Sequence, residues 1–144
     1  MISKYFLLLL LSMGISLPNL SVKAAQTLAI HNCLFCNIIN KAEPAKILFE
    51  DNEFIIFDKP NPGQNNFTVN VLICPKRHVE NFKTLDELDK YERELPSKMI
   101  FLAQKFSKRL SGEQSYRLEI NNGAPMQGVF HLHMHFKSHN FLIH

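Results

Sequence analysis

Short apolar runs bounded by turn residues recur along the chain, and this pattern predicts strands more often than helices. Asp51-Asn52 is a hairpin turn signal between the first two runs, and Pro75 ends the third. The predicted strands, which concentrate β-branched and aromatic residues, cover residues 45–50, 53–57, 69–74, 115–120 and 129–136.

Helical patterns are fewer. Residues 33–40 predict a helix of one or two turns, and Thr84-Leu85-Asp86-Glu87 has the form of a capping box at the start of a longer one. Pro96 is expected to kink that helix or to begin a second segment. Its buried stripe would comprise Leu95, Met99, Leu102, Phe106 and Leu110. The elements predict an α+β fold, with an antiparallel sheet of about five strands, one long helix and a short N-terminal helix.

Residues 1–24 have the pattern of a secretory signal peptide. Lys4 precedes an apolar run over residues 5–17, about 13 residues long, whereas a spanning helix needs roughly 20. Val22-Lys23-Ala24 fits cleavage before Ala25. We therefore expect an exported protein, periplasmic or secreted, with one domain over residues 25–144 and no stable membrane insertion after cleavage. An uncleaved anchor or an internal core helix is the alternative.

The charge balance gives no sign of a nucleic-acid-binding surface. The formal net charge is +3, but Lys4 and Lys23 belong to the N-terminal segment. Without these two, the 16 Lys and Arg residues fall to 14, against 13 Asp and Glu residues. Such near-neutrality does not favour binding to phosphate backbones, and we expect no nucleic-acid partner.

Three cysteines remain outside the N-terminal segment, and an odd number does not make a complete disulfide framework. Cys33 and Cys36 form a C-x-x-C pair, which indicates either half of a metal site or a disulfide. Cys74 ends an apolar predicted strand and is expected to be a small buried core residue.

Three histidines alternate with apolar residues at the end of the last predicted strand. Side chains of a strand alternate between faces, so His131, His133 and His135 would share one face at intervals of roughly 7 Å. Crowding should keep at least one imidazole uncharged near neutral pH, and a neutral imidazole can attack phosphorus to give a covalent intermediate. Zinc or copper binding is the alternative, and spacing alone favours neither.

Four motifs, in order along residues 33–136, carry a resemblance that distinguishes these alternatives. The segment around the histidines, N-N-G-A-P-M-Q-G-V-F-H-L-H-M-H-F over residues 121–136, resembles the end of the histidine triad (HIT) family. C-L-F-C-N-I-I over residues 33–39, I-I-F-D followed by Asn61-Pro62, and L-I-C-P-K-R-H over residues 72–78 resemble its earlier motifs. The branch most similar comprises small purine-nucleotide phosphoramidases and dinucleoside polyphosphate hydrolases.

The resemblance implies a HIT-like version of the α+β fold and a role for each matching residue. His133 would be the nucleophile, His135 would hydrogen-bond the phosphate or leaving group, and Gln127 would lie near the phosphate. The implied nucleotide-binding residues are Asp58 at the ribose hydroxyls, Ile38, Ile39 and Ile56 around the base, and Asn121 or Asn122 beside the phosphate. A structural zinc ion would be held by Cys33, Cys36, His78 and His131.

The implied activity is hydrolysis or nucleotidyl transfer at the α-phosphate of a nucleoside phosphoramidate or dinucleoside polyphosphate, through a nucleotidyl-histidine intermediate. Members of the family often form homodimers through the long helix and a sheet edge. Two alternatives stay open. One is an exported metal-binding protein that uses all three triad histidines. The other is a non-catalytic nucleotide-binding relative, suggested by Met126 and Gly128 beside Gln127.

Overall fold

The computed structural model describes residues 32–60, 66–87 and 89–143, so the predicted signal peptide and Asn61-Pro62 lie outside the described residues. Among the described helices, none has both the length and the apolar character needed to cross a membrane.

Five antiparallel strands form one sheet in the order β1-β2-β3-β5-β4, which confirms the predicted α+β fold. The strands are β1 (Ile47–Glu50), β2 (Phe54–Asp58), β3 (Val69–Pro75), β4 (Arg117–Glu119) and β5 (Met134–Ser138). The first four lie within or near their predicted ranges. The fifth begins five residues later than its predicted start at residue 129.

The late start of β5 follows from the end of its neighbour. Ile73 pairs with Met134 as the last pair of the β3–β5 ladder, and β3 ends at Pro75, which has no N–H to donate. The Pro75 carbonyl accepts a hydrogen bond from the His131 ring instead. His131 and His133 therefore precede the strand, and only His135 belongs to it.

The long helix α2 (Lys90–Ser107) packs against one face of the sheet. Its predicted start at Thr84 is wrong, because Thr84 closes a preceding 3-10 turn (Phe82–Thr84) with Asn81. The helix begins after Asp89, whose carboxylate accepts from the N–H groups of Tyr91 and Glu92.

The buried stripe of α2 is confirmed. Leu95, Met99 and Phe106 are buried, and Leu102 is half-buried at its margin, whereas Leu110 is buried but follows the end of the helix. Pro96 lies inside the continuous helix, so the prediction of a second helical segment is wrong. Leu95, directly before Pro96, and Met99, three residues after it, are fully buried. Their packing offsets the loss of the hydrogen bond that the proline cannot make.

The short helix α1 (Leu34–Ile39) covers part of the opposite face. Residues paired directly across neighbouring strands share a face, and the pairs link Phe57 to Leu72, Leu72 to His135 and His135 to Glu119. Because Phe57 and Leu72 pack with α1, His135 lies on the α1 face of the sheet. His135 is therefore on the α1 face, and the main core is on the α2 face.

Candidate active site and metal centre

Four side chains form a cluster that could hold a metal ion: Cys33, Cys36, His78 and His131. Their nearest ligand atoms all lie within 4.8 Å of one another. Cys33 begins α1, Cys36 is in its first turn, and His78 follows β3, so the site joins the N-terminal segment to the histidine segment. These are the four residues that the resemblance implies.

The spacing of the four atoms fits a tetrahedral ion with two sulfur and two nitrogen ligands. The Sγ to Nδ1 distances are 3.5 Å from Cys33 to His131, 3.5 Å from Cys36 to His131 and 3.2 Å from Cys36 to His78. Usual zinc bond lengths give a tetrahedral S···N separation of about 3.5 Å. His131 Nε2 donates to the Pro75 carbonyl at 2.8 Å, which leaves Nδ1 unprotonated and available as a ligand.

The two cysteine side chains differ in acidity. Burial opposes ionisation of Cys33, but the neighbouring imidazoles of His131 and His78 outweigh it and lower its pKa to about 5. Burial and the hydrogen bond with Cys33 raise the pKa of Cys36 to about 12. A divalent cation would displace the thiol proton of Cys36, because thiolate is the form of cysteine that binds metals. The donor set therefore fits a closed structural metal site.

His133 is held in a single tautomer. Its Nδ1 lies 2.6 Å from the carbonyl oxygen of His131, and an oxygen of that kind can only accept. Nδ1 therefore carries the proton, and Nε2 has a free lone pair. The Phe35 ring, which belongs to α1, contacts the His133 imidazole in an edge-to-face arrangement with the ring centroids 5.0 Å apart. This contact restricts the orientation of the imidazole. Burial lowers the pKa of His133, so the ring is neutral near neutral pH.

His135 lies beside His133, with 5.2 Å between the ring centroids. Burial, and next the charge of His133, lower the pKa of His135 to about 4. Asn121 Nδ2 is 3.5 Å from His135 Nε2, and the other nitrogen, Nδ1, is buried without a hydrogen-bond partner in the described part of the chain. The two rings form a neutral pair on the α1 face.

Gln127 is buried and uses both ends of its amide on backbone groups. Its Nε2 donates to the carbonyls of Glu80, at 2.7 Å, and Val129, at 2.9 Å, and lies 3.5 Å from that of His131. Its Oε1 accepts from Gly123 N–H at 2.9 Å. The amide therefore holds the loop before the histidines, including the carbonyl that orients His133.

Comparison with known proteins agrees with this geometry. The family model described as "Scavenger mRNA decapping enzyme C-term binding" matches residues 32–143. A HIT-like protein of Methanocaldococcus jannaschii is 35% identical over 106 residues, which are 72% of this chain and 75% of the relative. The chain belongs to the histidine triad family.

Solved HIT structures share the fold. A HIT family hydrolase from Legionella pneumophila is 31% identical, with a TM-score of 0.62, and the match covers 73% of this chain and 90% of that one. A zinc-bound histidine triad family protein from Mycobacterium smegmatis is 25% identical, with a TM-score of 0.57, and the match covers 74% of each chain.

Two residues predicted to contact the nucleotide lie on the α2 face of the sheet in this HIT protein, opposite His135. Ile56 is fully buried among the residues of the α2 face, so its predicted contact with the base gains no support from its position. Asp58 pairs with Val71, which also belongs to the α2 face, and its carboxylate lies 3.5 Å from Lys46 Nζ. The alternation of side chains along β2 thus places Asp58 on the face opposite His135, and its ribose contact stays a prediction.

The other residues predicted to bind the nucleotide are two isoleucines of α1 and two asparagines that follow β4. Ile38 is fully buried in the α1 cluster, whereas Ile39 is half-buried at its edge. Asn121 reaches His135, but Asn122 Oδ1 accepts from Phe82 N–H and so stabilises the 3-10 turn. Of the two asparagines, the structure therefore brings Asn121 to the triad.

Sequence reasoning missed three residues beside the HIT histidines. Phe35 contacts His131 and His133 edge-on, and Glu119 and Lys137 lie on either side of His135 on the α1 face. Strand alternation could have identified Lys137, because it is two residues beyond His135. Phe35 and Glu119 come from distant segments, and no local pattern pointed to them.

Proposed function

We propose that this HIT protein hydrolyses or transfers a nucleotide by cleavage at the α-phosphate, through a covalent intermediate on His133. The substrate would be a nucleoside phosphoramidate or a dinucleoside polyphosphate, with a purine base. The observation that carries the proposal is the 2.6 Å contact between His133 Nδ1 and the His131 carbonyl, which leaves Nε2 unprotonated on a buried, neutral ring. The description of the Legionella pneumophila relative as a hydrolase supports the same reaction class.

In the proposed reaction, His133 Nε2 forms a bond to the α-phosphorus, and the bond to the leaving group breaks with its electron pair. A phosphate chain leaves as an anion, whereas an amine takes a proton from solvent as it departs. The Nδ1–H donated to the His131 carbonyl stabilises the positive charge that develops on the ring. Water then attacks phosphorus and loses its proton to solvent, the N–P bond breaks, and the nucleoside monophosphate departs. Asn121 and His135 would hydrogen-bond the phosphate oxygens.

The metal in this proposal is zinc, held by the two cysteines with His78 and His131. Its closed ligand set supplies structure rather than an open position for substrate. Through His131 it would fix the backbone carbonyl that orients His133, because one residue carries both the metal ligand and that carbonyl.

Two alternative functions are less consistent with the described geometry. A metal shared by all three triad histidines would need His133 as a ligand, but its Nδ1 is bonded to a carbonyl and the ligand cluster contains only His131 of the three. The non-catalytic alternative rested on Met126 and Gly128. Met126 is 68% exposed, and a side chain at Gly128 would meet no atom within 4 Å, so neither residue intrudes on the histidines.

We also propose that the protein acts after export, in the periplasm or outside the cell, because its first 24 residues have the pattern of a cleaved signal peptide. Homodimer formation stays a prediction from the family resemblance.

The test of the proposed function is turnover by matched histidine variants. His133→Ala should lower kcat for adenosine phosphoramidate and diadenosine tetraphosphate by at least about a thousandfold, because the nucleophile is lost. His139→Ala, at an exposed position, should stay within about twofold of the unsubstituted protein. Melting temperatures would verify that both variants are folded. Comparable turnover by His133→Ala would contradict the assignment.

A further inference from the structure

A charged pair lies next to His135, on the face of the sheet that carries the triad. Along β5, Lys137 follows His135 by two residues, so both side chains point to the α1 face at an interval of roughly 7 Å. Across β4, Glu119 pairs with His135 and Arg117 pairs with Lys137. The row His133, His135, Lys137 therefore leads from the proposed nucleophile to a cation.

Lys137 is fixed in place rather than free in solvent. Its Nζ lies 3.0 Å from Glu119 Oε1, and the side chain is 16% exposed, against 37% for Glu119. This hydrogen bond is the main cause of a lowered pKa for Glu119, which keeps that carboxylate charged. Because an oriented ammonium loses little entropy when it binds an anion, Lys137 is preorganised for a ligand.

The charges around this pair are predominantly positive. Arg117 lies opposite Lys137, and the Lys59 N–H donates at 3.0 Å to the carbonyl of Asn70, the residue that pairs with Lys137 on β3. Glu119 is the acidic residue that pairs with His135 across the sheet. Asn70 also pairs with Lys137, and its Oδ1 is buried without a hydrogen-bond partner in the described chain. Three cations and one carboxylate favour an anionic ligand at this end of the row.

We infer that Lys137, oriented by Glu119, binds the leaving group of the substrate, and that the enzyme prefers a phosphate chain to an amine at that position. This inference rests on the proposed function. It adds that the group expelled from the α-phosphorus carries negative charge and extends past His135 toward Lys137. Asn70 is positioned to receive a hydroxyl or protonated oxygen at the same end.

The chemistry of the two leaving groups favours the same choice. When the P–O bond to a phosphate chain breaks, the chain leaves as a stable anion and needs no proton. An amine leaves readily only if it is protonated, and His135, with its pKa lowered to about 4, is neutral and a poor acid near neutral pH. A cation that stabilises departing negative charge would therefore assist the first reaction and not the second.

The experiment compares diadenosine tetraphosphate with adenosine phosphoramidate as substrates of the full chain. Lys137→Gln should lower kcat/KM for the polyphosphate about tenfold or more and leave the phosphoramidate within about twofold. Lys137→Arg should retain most of the preference, because it keeps the charge. Lys90→Gln, whose lysine side chain is 79% exposed on α2, is the matched control and should change neither value.

Each outcome distinguishes this inference from the function on which it rests. If the unsubstituted protein forms a nucleotidyl-His133 adduct but Lys137→Gln changes both substrates equally, or neither, the inference alone is overturned. If the unsubstituted protein cleaves neither substrate, the proposed function fails and the inference fails with it. Should Lys137→Gln not fold, Lys137→Met combined with Glu119→Gln removes both charges together and is expected to show the same selective loss.

Discussion

At the scale of single residues, Gln127 shows how a motif residue can act through the backbone. The resemblance implies that this side chain lies near the phosphate. In the structure, its amide instead makes hydrogen bonds of 2.7 to 2.9 Å with three backbone groups, those of Glu80, Gly123 and Val129. One of its further neighbours is the His131 carbonyl, which accepts from His133. Gln127 is therefore best described as a positioning residue for His133, the proposed nucleophile.

Replacement of this buried amide should reduce both stability and catalysis. Gln127→Ala leaves the Glu80 and Val129 carbonyls and the Gly123 N–H without their partner, and we expect the free energy of unfolding to fall by about 2–4 kcal/mol. Urea unfolding measures the change. In the folded variant, kcat should fall more than KM rises, because the amide does not contact substrate.

The matched control is Gln104→Ala, an exposed position on α2, which should change the free energy of unfolding by less than about 0.5 kcal/mol. Equal stability of the two variants, or a rise in KM without a change in kcat for Gln127→Ala, would show that the amide does not have this positioning role.

The sequence did not show which face of the sheet carries the side chains of β2. Leu132 and Met134, the apolar residues that alternate with the three histidines, are buried in the main core, as a period of two requires. The same period places Ile56 and Asp58 on one face of β2 and Ile55 and Phe57 on the other. Which of these faces packs against α1 became known only from the register of β2 with β3. Strand alternation gives relative orientation within a strand and not between strands.

At the scale of elements, boundaries were predicted less well than the elements themselves. Both misplaced starts have a specific cause: Thr84 is used by the preceding turn, and β3 provides no partner beyond Ile73 for the residues before Met134. The apolar stripe of α2 was predicted because its period of 3.6 reports directly on burial. Caps and ladder ends depend on contacts between segments.

The metal site joins elements that the sheet leaves separate. Removal of one ligand should remove the ion, so Cys36→Ser is expected to lower the zinc content of the purified protein from about one ion per chain to near zero. Elemental analysis of protein prepared without chelator measures the content. The melting temperature should fall as well, because α1 loses its link to His78 and His131.

Cys74→Ala is the control for this prediction, since Cys74 is a free thiol in the same apolar cluster but not a member of the ligand set. It should keep a full complement of zinc. Zinc-free protein with a disulfide between Cys33 and Cys36 would contradict the proposed metal site.

At the scale of the whole molecule, the fold was predictable from local patterns, and the site was predictable only in part. The strands, the two helices and the three histidines could be read from periodicity. The site also draws on residues from 33 to 137, brought together by the strand order β1-β2-β3-β5-β4. No pattern along the chain encodes that order, which is why Phe35 and Glu119 emerged only from the structure.

The central claim is that His133 becomes nucleotidylated, and intact-mass measurement tests it most directly. The protein is mixed with adenosine phosphoramidate, stopped within a turnover in neutral denaturant, and mapped by peptide fragmentation. We predict a mass increase of one adenosine monophosphate group, located on His133, present in His139→Asn and absent from His133→Ala. An adduct on another residue, or turnover with no adduct at any time of sampling, would contradict the account.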